Sequence, residues 1–151
     1  MTRFIVAGCL VAFVACAPQD QQEETSATQE TATPPAVTLA DFAGTWNMRA
    51  LTETGDSVVI EYQMTASTDP AGWTIVFPDR EPIPMTVTLD GDSIMGHAGP
   101  YPSALRADVN VTTDVVTRLV GGQLQGTVVA RYQTTSPDSV VRLRIEGTRA
   151  Q

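Results

Sequence analysis

ADFAGTWNMRA, residues 40–50, reads as an opening: a Gly-Thr-Trp step behind Asp41 and Phe42, then a run in which apolar and polar residues alternate. A period of two is that of a β-strand with one dry face and one wet one. The texture continues outward from here to the C-terminus. Short alternating runs predict strands near 44–53, 57–66, 73–77, 83–89, 93–98, 109–120, 123–133 and 139–149. The breaks between them are turn chemistry: Gly55-Asp56, Asp69-Pro70, Pro78-Asp79, Asp90-Gly91-Asp92, Gly121-Gly122 and Ser136-Pro137-Asp138. No segment carries a helical stripe. Consecutive strands with hairpin-length links form an antiparallel meander, and closing it removes both exposed edges. The predicted fold is all-β, a small antiparallel up-and-down barrel of about eight strands.

Parity then assigns the faces. One set holds Val58, Ile60, Tyr62 and Met64, then Trp73, Ile75 and Phe77, then Met85, Val87 and Leu89. It continues through Leu124, Val128, Ala130 and Tyr132 to Val141, Leu143 and Ile145. The opposite set holds Glu61, Gln63, Thr74, Thr86, Thr88, Gln125, Arg131, Arg142, Arg144 and Glu146. The first set faces inward and the second faces water. Over 109–120 the polar Thr112-Thr113-Asp114 interrupts the pattern and reads as a bulge.

Composition bounds what the barrel does. The 151 residues carry a formal charge of −8, and all nine basic residues are scattered arginines, with no lysine. Nucleic acid needs clustered cations, so it is excluded as a partner. A chain of this length holds one domain with a sizeable core.

The first residues read as a targeting signal. MTR gives a short positive start, FIVAGCLVAFVA an apolar stretch too short to span a bilayer, and Cys16 follows Ala15. This resembles a bacterial lipoprotein signal peptide, in which the cut falls before a cysteine that has received diacylglycerol. The resemblance implies a signal over 1–15 and a lipid-bearing Cys16 that attaches the protein to the membrane by acyl chains. A cut before Cys9 would leave too few apolar residues; the alternative is a plain secretory signal or an uncut anchor. Cys9 leaves with the signal and Cys16 is consumed by lipid, so no thiol remains for a disulfide, a metal or a nucleophile. Ala17, rather than Asp, follows the cysteine, which by the same resemblance favours the outer membrane, facing the periplasm, in the bacterial envelope. Residues 17–36 contain no aromatic or basic residue and four acidic ones, Asp20, Glu23, Glu24 and Glu30. Such a stretch cannot bury enough surface to fold and reads as a tether, so the organisation is 1–15 signal, 16–36 lipidated tether and 37–151 barrel.

The opening stretch also carries a family likeness. Asp41-Phe42-Ala43-Gly44-Thr45-Trp46 resembles the Gly-x-Trp motif that begins the first strand of lipocalins and fatty-acid-binding proteins, the calycin superfamily. The likeness implies that a turn of helix plugs one barrel end, that Trp46 lies inside it behind Gly44, and that an arginine near the terminus covers the ring. Arg149 is that arginine. It shares parity with Val141, Leu143 and Ile145, whereas Arg142 and Arg144 do not.

In a meander alternate links share an end, so the turns near 55, 79, 100–108 and 136 lie away from Trp46. The longest link, 99–108, then stands at an open mouth, with Phe77, Met85, His97, Tyr101, Arg106 and Tyr132 toward it. Rings, a soft methionine and an arginine suit a ligand with an apolar body and an acidic or polar head. No acid, base and nucleophile set converges, and His97 has no partner at an interpretable spacing, so the domain reads as non-enzymatic and without cofactor. Asp90-Gly91-Asp92 lacks the other ligands of a calcium loop and Gly121-Gly122 the lysine of a phosphate loop. The expected function is a binder or carrier of a small apolar or amphipathic molecule. The alternative is a structural or interaction module of the envelope whose barrel is filled by side chains. An interior cavity above about 300 Å³ separates the two.

The anchor is directly testable. Cys16→Ser should abolish labelling by radioactive palmitate and block maturation, while Cys9→Ser leaves both nearly intact; unchanged labelling of the Cys16 variant would overturn the assignment.

Overall fold

The protein is described by a computed structural model over residues 36–151. The expected signal over 1–15, the lipid-bearing Cys16 and all but the last residue of the expected tether over 16–36 lie outside the described residues. A four-residue helix, α1 (Leu39–Phe42), precedes β1 (Gly44–Thr52), β2 (Val58–Ala66), β3 (Trp73–Val76) and β4 (Ile83–Asp90). Then follow β5 (Ser93–Pro102), β6 (Asn110–Val120), β7 (Gln123–Tyr132) and β8 (Val140–Arg149). Each strand pairs antiparallel with the one before it, and β8 returns to β1 to close the barrel.

The links 53–57, 77–82, 103–109 and 133–139 therefore share one end, the mouth, and 67–72, 91–92 and 121–122 share the other. The second end is plugged. Trp46, Phe42 and Trp73 are there with no exposed surface, the Phe42 and Trp73 rings tilted at 6.4 Å between centroids. Burying each such side chain stabilises the fold by roughly 1.5–3 kcal/mol. A buried indole N–H needs an acceptor, and Trp46 Nε1 donates to the Phe42 carbonyl at 2.8 Å, the last carbonyl of α1. Trp73 does the same to Ser67 at 2.8 Å. At the start of α1 the Asp41 carboxylate accepts the Thr38 N–H at 2.7 Å and its hydroxyl at 2.9 Å, which holds its pKa below the usual carboxylate value.

Arg149 completes the plug. It stands in register opposite Trp46, with its guanidinium 4.4 Å from the centre of the ring. Its two terminal nitrogens donate to the Ala43 carbonyl at 2.7 Å and the Asp41 carbonyl at 2.8 Å. Gly44 is required beside it: φ is +130°, and a Cβ there would fall 2.9 Å from Arg149 Nη1.

The inward parity set is buried along β3, β4, β7 and β8, save that Leu89 and Val141 are half-buried, and it differs at two places elsewhere. Val58, expected inside, is 41% exposed. Ala50 pairs with Ile60 but Leu51 with Val58, so Val59 is an extra residue and the pattern slips at the rim. The bulge expected at Thr112-Thr113-Asp114 is absent, and β6 is regular. The irregularity lies across from it, in β5, which runs to Pro102 rather than ending near 98. Ala98 pairs with Thr113 and Tyr101 with Val111, so Gly99 and Pro100 share one step of β6. Gly99 permits this at φ +116°, since a Cβ would fall 2.7 Å from the Val111 carbonyl. Without that extra residue Tyr101 would share the outward parity of Met95 and His97. The bulge turns it inward.

The plug sets a stability expectation. Arg149→Ala removes a cation–π contact and two charged hydrogen bonds over a buried ring, and should cost on the order of 1–2 kcal/mol. Arg142→Ala, on the outer face, serves as reference; equal denaturation midpoints for the two variants would show that Arg149 does not hold the end closed.

Candidate functional site

Above the plug the interior is apolar, built from Met48, Met64, Ile75, Met85, Val128 and Ile145 among others. Toward the mouth the walls become aromatic. Tyr62 from β2, Phe77 at the end of β3, Tyr101 after the β5 bulge and Tyr132 at the end of β7 converge there. The Tyr62 and Phe77 ring centres lie 5.3 Å apart and those of Phe77 and Tyr101 6.1 Å apart. The first residues of the 103–109 link roof the space. Ser103 is 5% exposed; its N–H donates to Val109 O at 2.8 Å and its Oγ accepts from the N–H groups of Leu105 and Arg106 at 3.1 and 3.0 Å. This loop is shorter than the expected 99–108 because β5 takes four of those residues. Arg106 lies over the Tyr132 ring at 4.0 Å.

The void enclosed between these walls is about 70 Å³, below the roughly 300 Å³ at which ordinary small-molecule pockets begin. Most of the barrel is filled by its own side chains. Its polar atoms are hydroxyls. Thr113 pairs with Tyr101 at 3.4 Å and Thr117 donates to the Gln125 carbonyl at 3.1 Å. The Tyr62 and Tyr132 hydroxyls have no protein partner among the described residues, yet no fully enclosed side-chain polar atom there is left unpaired. Both therefore keep some accessible surface. Burial, with Tyr101 adding to it, raises the Tyr62 pKa above the ordinary tyrosine value; burial likewise raises Tyr101, partly offset by the Thr113 bond. Both remain protonated at neutral pH. Tyr62 stood in the inward parity set, and what the sequence withheld was its height beside Phe77.

Phe77, Met85, Tyr101 and Tyr132 thus share the interior wall, with Arg106 above Tyr132. His97 does not join them. Ile94, Gly96 and Ala98 take the inward positions of β5, so His97 faces out, with its side chain 58% exposed. It has a carboxylate partner that sequence spacing hid: Asp114, directly opposite on β6, bonded through Nδ1 at 2.7 Å and gripped on its other oxygen by Arg131. The His97 bond, ahead of Arg131, lowers the Asp114 pKa. No nucleophile is bonded to His97 among the described residues, and no three His, Cys, Asp or Glu side chains there converge as metal ligands. No family model, curated protein or solved structure matches the chain.

The outer cluster predicts a pH effect. A carboxylate whose folded pKa is depressed stabilises the fold above its unfolded value and loses that contribution as pH falls through the folded one. Asp114 is about half-exposed, so solvent screening keeps the effect small. The wild-type melting temperature should drop more than that of Asp114→Asn between about pH 6 and pH 3; parallel curves would show the cluster to be energetically silent.

Proposed function

We propose that the domain is a non-enzymatic binder of a small apolar or amphipathic molecule, held at the bacterial envelope by lipid on Cys16. The observation that carries the reading is the unfilled, ring-walled space at the mouth, lined by Tyr62 and Tyr132, whose hydroxyls have no protein partner among the described residues. Apolar walls supply affinity and a few polar groups fix orientation. The two hydroxyls suit an acceptor on the ligand head, and Arg106 supplies charge at the rim if that head is acidic. The likeness of 41–46 to calycins points the same way, as does the Arg149 contact on Trp46. The void fixes the scale: at about 70 Å³ it admits a few heavy atoms without rearrangement, so a larger ligand moves side chains aside.

A second reading, a filled barrel acting as an interaction module of the envelope, has the same small void in its favour. It also draws on exposed Val58, Val59, Leu105 and Val140, all at the mouth end. The two readings separate by titration of the full chain carrying Cys16→Ser with N-phenyl-1-naphthylamine. The binder should take it up saturably, one per chain. Met85→Arg places an unpaired charge in the interior, which costs several kcal/mol, and should abolish uptake while circular dichroism still reports the barrel. Arg106→Ala should weaken acidic probes and spare neutral ones. A folded protein that binds none of a panel of fatty acids, isoprenoids and aromatics would leave the interaction module in front.

A further inference from the structure

The barrel wall is incomplete beside the mouth. β2 pairs with β3 only at Gln63, Met64 and Thr65, so 58–62 has no ladder partner on its side away from β1. β4 and β5 first pair at Met85 and Ala98, so 83–84 and 99–102 part toward the mouth. The 77–82 loop spans the seam this leaves. Among the described residues its one hydrogen bond to the β5 side runs from Arg80 Nη1 to the Pro102 carbonyl, at 2.7 Å and exposed. Surface clefts flank the loop, one against Pro100 and Pro102, the other against Val58, Val59 and Ala104. At the root of the loop Phe77 turns inward, seated between Tyr62 and Tyr101, and walls the void.

We propose that a ligand reaches the interior sideways, through the seam between β2 and β5, by displacing the 77–82 loop, and that its apolar end takes the place of the Phe77 ring. The proposal rests on the binder reading above and sets the ligand class: an apolar end the size of one ring or a short acyl chain. The axial route is held more firmly. The roof over the mouth is tied by three hydrogen bonds through Ser103 and by the stacking of Arg106 on Tyr132. Elsewhere the β1–β2, β5–β6, β6–β7, β7–β8 and β8–β1 ladders are long and open only with many bonds at once. The strap is held across the seam by one exposed hydrogen bond and by the seating of Phe77, and moving it joins the space of a phenyl ring to the existing void.

Two measurements on the full chain carrying Cys16→Ser test this. Without ligand, hydrogen exchange in Arg80→Ala should quicken about fivefold over 58–62 and 77–81, the loss expected for one such bond, with β6–β7 unchanged. Unchanged exchange there overturns the strap. With N-phenyl-1-naphthylamine in stopped flow, Arg80→Ala should speed uptake about fivefold, and Ser103→Ala, which loosens the roof instead, by less; the reverse order places the route at the axial mouth and overturns the proposal. A Phe77→Ala chain should bind the probe more tightly, since the space is already vacant; weaker binding overturns the subsite. Quickened exchange in a protein that takes up no probe overturns the binder reading itself and this route with it.

Discussion

Trp46 is an indole with no exposed surface at the start of β1, and most of the architecture near it exists to make that burial affordable. Its N–H needs an acceptor, which α1 provides through the Phe42 carbonyl. Its face needs a cover, which Arg149 provides. Arg149 in turn spends its donors on the carbonyls left over at the end of α1, so helix, first strand and last strand satisfy one another's unpaired groups. Among the described residues the β1–β8 ladder is the one pairing between strands distant in sequence, and it carries the entropy of closing a loop of about a hundred residues. A large ring with directional partners at that seam fixes the register, where a plain aliphatic contact would tolerate a slip.

The two ends differ in how they are finished. At the plugged end the indole N–H groups are bonded and the rings are sealed from water. At the other end the ladders stop short, and the lips of the gap are rich in proline: Pro82 and Pro84 on one side, Pro100 and Pro102 on the other. Proline lacks the N–H that would let a neighbouring chain add a strand, so these edges stay open to solvent without inviting aggregation.

Alternation made the strands legible almost residue by residue, because each buries one face against a common core. The Trp46–Arg149 contact was implied by the family resemblance of 41–46, and alternation then picked Arg149 over Arg142 and Arg144 as the arginine. What failed depended on register. His97 precedes the mouth loop in sequence, but β5 places Ile94, Gly96 and Ala98 inside, and its partnership with Asp114 exists only through the alignment of β5 with β6. Gly99 and Pro100 read as loop because each is a breaker in isolation, whereas together they form a bulge within a strand. The size of the void was beyond reach: it is the residue of many side-chain volumes and rotamers, and one methionine more or less alters it.

Because β1 and β8 are neighbours, the Ala150 N–H reaches the Thr45 carbonyl at 2.9 Å, and the end of β8 lies beside the start of β1. Gly121-Gly122, a two-residue hairpin where a side chain would meet only open space, lies at that same plugged end. Linking the end of β8 to α1 there and cutting the chain at the glycines yields a circular permutant with the same eight strands, in which β7 comes first. Fluorophores or fusion partners then attach at the base of the barrel, and the mouth stays clear.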